Sequence, residues 1–160
     1  MVSGCATTRD GASYSAFAQK VGLPRPGTAR VVIMRDKGYA GLIDAAWVVR
    51  ADDHPMTGLK TGTFVYRDVP AGHHQFSFVW SDFPRPSRLD MDAVAGRTYY
   101  YRLQLNDKGA LLRGGGSAGV VGMLVTGAMA AAADDRGAYD FVPVDEATAR
   151  QALTELALSE

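Results

Sequence analysis

Thr61-Gly62-Thr63-Phe64-Val65-Tyr66-Arg67-Asp68-Val69-Pro70-Ala71-Gly72-His73-His74-Gln75-Phe76-Ser77-Phe78-Val79-Trp80, continuing to Arg97-Thr98-Tyr99-Tyr100-Tyr101-Arg102-Leu103-Gln104-Leu105, alternates large apolar with polar residues. A period of two is that of a half-buried strand, and Pro-Ala-Gly and Ala-Gly supply turns between strands. Residues 63–69 are expected to pair as a hairpin with 73–80 across Pro70-Ala71-Gly72. His74, Phe76, Phe78 and Trp80 then share the core face. Tyr99, Tyr101, Leu103 and Leu105 share another, which leaves Tyr100 and Arg102 pointing outward.

Working outward, Ala29-Arg30-Val31-Val32-Ile33-Met34-Arg35 is apolar on both faces and reads as a central strand. Residues 45–50 and 56–59 give further strands around an Asp52-Asp53-His54 turn. Leu89, Met91 and Ala93 alternate with Asp90 and Asp92, and Asn106-Asp107-Lys108-Gly109 reads as a hairpin-type turn. Phe17 and Val21 at spacing four suggest a short helix over residues 14–22, ended by Pro24-Arg25-Pro26-Gly27. Late in the chain, residues 139–144 read as an edge strand because of Pro143. Asp145 then caps a helix with the stripe Ala149, Ala152, Leu153, Leu156 and Ala157. Short strands at about ten-residue spacing predict a mainly β fold, an antiparallel β-sandwich of Ig-like or transthyretin-like type with a C-terminal helix.

The 160 residues predict one domain, with 47% hydrophobic and 21% charged residues. Formal net charge is zero, so no global field draws the chain to nucleic acid. A single Cys5 excludes an internal disulfide and a Cys-rich zinc site. The expected segments are a tether over 1–27, a sandwich over 28–113, an apolar insertion over 114–135, and an edge strand with helix over 136–160.

Val2-Ser3-Gly4-Cys5 resembles the lipobox of bacterial lipoproteins, in which small residues precede a Cys that becomes lipidated. On that resemblance the precursor starts upstream of Met1 and the mature protein at Cys5. The polar run after it reads as a tether. The Ala29-Arg30-Val31 and Trp47-Val48-Val49 strands, Gly62-Thr63-Phe64, Val69-Pro70-Ala71-Gly72-His73, Ala95-Gly96-Arg97-Thr98-Tyr99-Tyr100 and a late acidic helix carry a second resemblance. This pattern resembles bacterial lipoproteins with the domain of unknown function 2846. The resemblance implies a lipid on Cys5, an envelope location facing the periplasm, and no assigned catalytic residue. Asp52-Asp53 departs from that family's Asp-Gly turn, and the Gly/Ala-rich run is not its common pattern.

Residues 114–133 carry no charge and match the length of a bilayer-spanning helix. Ala118, Gly122, Thr126 and Ala130 fall at spacing four, as do Gly115 and Gly119, a stripe that lets helices approach closely. Its large apolar residues supply only about −2 to −4 kcal/mol toward insertion. Three readings stand: packing on the domain, membrane insertion or self-association, and a loop.

Other motifs point to ordinary structure. Gly114-x-Gly116-x-x-Gly119 lacks the βαβ setting of a dinucleotide site. His73 and His74 point to opposite faces of one strand and cannot share a metal ion without a bulge. Asp90 and Asp92 read as a solvated face, and Ser77, Ser81, His74 and Asp82 lack a nucleophile elbow. No cofactor is expected. Phe83, Tyr100 and Arg102 are the candidate contact surface, beside loops at residues 52–55 and 82–88. The expected role is a non-catalytic, lipid-anchored binding or structural module on the periplasmic side of the outer membrane, with an envelope protein as partner. The alternative is a membrane-associated homo-oligomer assembled through the Gly/Ala-rich run.

Overall fold

The structure, a computed structural model, describes residues 14–37, 47–79, 85–107, 109–110 and 136–159. Among these, β1 (Thr28–Arg35), β4 (Thr63–Pro70), β7 (Thr98–Leu105), β8 (Tyr139–Val144) and β9 (Ala157–Leu158) form one sheet, in the order β8-β7-β1-β4-β9. A second sheet contains β2 (Trp47–Ala51), β3 (His54–Leu59), β5 (Gly72–Phe78) and β6 (Ser87–Ala93), in the order β3-β2-β5-β6. The two sheets stack as a β-sandwich. Helices α1 (Tyr14–Val21) and α2 (Glu146–Leu153) cover the outer face of the five-stranded sheet.

The sequence of β1 explains its central place. Every residue from Ala29 to Met34 is buried. Ala29, Val31 and Ile33 enter the sandwich core with Val65, Phe76, Phe78, Tyr101 and Leu103. Val32 and Met34 face the other way, into a cluster with Phe17, Phe64, Ala149 and Leu153. Each such large side chain contributes about 1.5–3 kcal/mol on burial. β1 pairs antiparallel with β4 and parallel with β7, and β9 lies parallel to β4, so this sheet is mixed. The four-stranded sheet is antiparallel throughout.

Three local expectations are corrected. Residues 63–69 and 73–80 do not form a hairpin: β4 pairs with β1 in one sheet and β5 with β2 and β6 in the other, so Pro70-Ala71-Gly72 arches between the sheets. Where Asn106-Asp107-Lys108-Gly109 is expected to make a hairpin-type turn, residues 107 and 109–110 are helical, and among the described strands β7 pairs antiparallel with β8. The Asn106 side chain accepts from the Gly109 amide (3.1 Å) and donates to Gly137 O (2.9 Å) and to Asp140 (3.0 Å). The last helix stops at Leu153, and Ala157 joins β9 rather than a helical stripe. Its start is as expected: Asp145 accepts from the Thr148 amide at 2.9 Å, and Glu146 meets Arg150 at 2.6 Å. Among the described residues no helix is long and apolar enough to cross a membrane.

Candidate functional site

A solvent-open cleft of about 770 Å³ lies where the loop after α1 approaches β3 and β4. Its floor is Arg30, whose side chain is only 6% exposed. A guanidinium so placed needs acceptors. Arg30 Nε and Nη2 donate to the two carboxylate oxygens of Asp68 at 2.7 and 2.9 Å, and Nη1 donates to Gly22 O at 2.6 Å. The group also lies over the rings of Phe17 (5.7 Å) and Tyr66 (5.3 Å), a cation–π arrangement. The Asp68 hydrogen bond raises the Arg30 pKa above its ordinary value.

The rim is mixed. Leu23 is 89% exposed beside Arg25, and Met56 and Arg67 face the same space. Three arginines and one aspartate line the cleft, a net of two positive charges. One wall is an open sheet edge. Gly62 O and Phe64 O accept from Ala157 N and Ser159 N, so the even-numbered residues of β4 direct their backbone groups to that edge. β9 ends at Leu158, and among the described residues β4 has no strand partner on that side beyond Phe64. The backbones of Tyr66 and Asp68 therefore face the cleft.

A second polar cluster closes the neighbouring end of the sandwich. Asp52 and Asp53 carry φ of 48° and 63°, left-handed values that Asp tolerates better than most residues, and they make the tight β2–β3 turn. This turn aims Asp52 at β5. Its carboxylate accepts from the Gln75 amide (2.9 Å) and from His74 Nδ1 (2.7 Å), while His74 Nε2 reaches Pro70 O at 2.8 Å. Both ring nitrogens thus face acceptors, which only the imidazolium satisfies fully. Burial opposes the charged ring, but the bonds to Asp52 and Pro70 outweigh it and raise the His74 pKa. The Gln75 amide, then His74, lowers that of Asp52. The clasp ties the β2–β3 turn to the arch between β4 and β5.

Of the sequence-derived candidates, Cys5, Phe83, Gly115, Ala118, Gly119, Gly122, Thr126 and Ala130 lie outside the described residues. Tyr100 is corrected. It does face away from Tyr99 and Tyr101, but that side is covered by α1 and α2, and it is only 6% exposed, with its hydroxyl 3.4 Å from Tyr14's. Arg102 is half-buried at a smaller hollow beside α2, 3.3 Å from Asp36. His73 is exposed and His74 buried, as opposite strand faces require. His73 Nδ1 lies 3.1 Å from Asp92 on the solvated face of β5 and β6. Pro55, from the expected 52–55 contact loop, does line the cleft. The cleft as a whole was missed, because its walls come from three separated stretches. Its one local signal was Arg30, a charge inside an apolar strand.

The chain matches no family model and no curated protein.

Proposed function

We propose that this chain is a lipid-anchored envelope protein whose sandwich domain is a non-catalytic binding or structural module. The reading draws on the resemblance to lipoproteins with the domain of unknown function 2846. The observation that carries it is the spacing between a lipobox-like Val2-Ser3-Gly4-Cys5 and the packed domain. Tyr14, nine residues after Cys5, packs against Phe17 and Phe64, with ring centroids 5.8 Å apart in each case. A lipid on Cys5 would hold that anchored face within at most about 30 Å of the membrane, the reach of eight extended residues. Several acyl chains on one Cys hold firmly, since each buried CH₂ gives about 0.8 kcal/mol. The outer-membrane leaflet facing the periplasm is the location this arrangement serves.

The test is to feed radiolabelled palmitate to bacteria making the full-length precursor. Label in the protein, lost in Cys5→Ala, supports the anchor; an unlabelled wild-type protein rejects it.

The second reading, a membrane-associated oligomer built through residues 114–133, has one structural observation in its favour. The chain leaves β7 and rejoins β8 at a single narrow neck, where Asn106 donates to Ala138 O and Gly137 O and Gly137 packs on Ser87. The described residues that flank the run are thus held side by side. Gly119→Leu with Gly122→Leu should reduce particle size in light scattering; an unchanged size removes this reading.

A further inference from the structure

We propose that the cleft between α1, β3 and β4 binds an extended acidic peptide segment of another protein, which adds as a strand to the open edge of β4. The proposal rests on the reading of the domain as a binding module and names the kind of partner.

Three observations converge. First, the edge already accepts a strand: β9 lies parallel on Thr63 and Phe64, and among the described residues β4 has no strand partner on that side over Tyr66 to Asp68, where the cleft lies. The outward backbone groups of Tyr66 and Asp68 continue the same row. Open sheet edges take added strands by main-chain hydrogen bonding, while side-chain pockets supply selectivity. Second, the charge is one-sided. Asp68 is consumed by Arg30, which leaves Arg25 and Arg67 on the walls; Asp52, which feels the charge of Arg67, is itself bound to His74 and the Gln75 amide. Carboxylates at alternate positions of a bound strand would complement them. Third, apolar surface waits on the rim. Leu23 is almost fully exposed and Met56 partly so, a place for the apolar side chains between the acidic ones. The chain's own residues 6–13 hold one Arg and one Asp, and so lack the acidic character.

The test uses the full chain and a fluorescent octapeptide alternating Glu with Val, blocked at both ends, read by anisotropy. The expected result is saturable binding that weakens as salt rises, with no binding of the matching Lys-Val peptide. Two isomers N-methylated on alternate residues separate strand addition from charge attraction. One should lose about tenfold or more in affinity and the other should keep it, because only one set of amides faces β4. Arg25→Glu with Arg67→Glu should abolish binding at an unchanged thermal midpoint.

Equal binding of both methylated isomers, binding of the Lys-Val peptide, or no saturation up to about 1 mM would overturn the proposal. So would binding only by a chain cut before Tyr14, which would make the occupant the protein's own leader, or only after dilution of a dimer, which would make it a second copy. Because no arm involves acylation, a failure here leaves the Cys5 experiment standing, and the reverse holds too.

Discussion

Strand β1 is buried by two different chemistries along one run of residues. Ala29, Val31 and Ile33 face the second sheet and meet an apolar cluster, whereas Arg30, on the opposite face, sits among Phe17, Tyr66 and Asp68 under the helix layer. The difference follows from what each layer can cover. Two pleated sheets about 10 Å apart leave no route to water, so a charge between them would stay unsolvated. A short helix leaves gaps at its ends. Arg30 uses one: its stem is covered, and Nη1 reaches the Gly22 carbonyl just past α1. The polar element of the inner side sits at its rim, where His74 closes the sandwich.

That contrast can be broken at graded strength. Phe76→Ala, in the inner core, should lower unfolding free energy by about 3–5 kcal/mol in urea. Phe64→Ala on the helix face belongs in the same range. A loss below about 1 kcal/mol there would mean that the helix layer is not part of the cooperative unit. Asp68→Ala should cost about 3 kcal/mol, because it strands a buried guanidinium. Arg30→Met with Asp68→Leu should recover most of that loss. If the double variant is as unstable as the single one, the outer face needs its charges rather than merely tolerating them.

Smaller effects concern the rim and the cap. The folded-state pKa of His74 is raised, so its stabilising contribution is complete below the unfolded value of about 6.5 and is lost as pH rises through the folded value. Stability should therefore fall with rising pH just above 6.5, and His74→Gln should remove that slope in a thermal-melt series. A slope that survives the substitution assigns it to another group. Asp145→Ala should give the least change, a lower thermal midpoint from loss of the Thr148 cap, with amide exchange in β5 and β6 unaltered.

Much of the strand layout is legible in the sequence, since alternation reports which residues share a face. It read both sides of β1, the core face of β5 and the acidic face of β6. Alternation does not report partners. Val69-Pro70-Ala71-Gly72 has the spacing of a hairpin loop, yet β4 finds β1, with Val69 opposite Ala29 forty residues earlier, and nothing local encodes that choice. Tyr100 fails for a related reason: a polar-edged residue opposite a core face looks solvated until a helix from elsewhere lies on it. Leu156 and Ala157 fit a helical stripe and a strand equally well. The open edge beside β9 could not be read at all, because it depends on where a short strand ends in space.

The parallel partnership of β1 with β7 sets a timetable for the molecule. Arg30 pairs with Thr98, and Val32 with both Tyr66 and Tyr100, so the strand made first occupies the middle of its sheet and both flanking strands are synthesised later. Distant pairings of this kind are slow to find. During synthesis β1 has no sheet partner until β4 has emerged and lacks its second until β7 has, and that interval, with an apolar strand edge in the open, is when a chaperone or an aggregate would meet it.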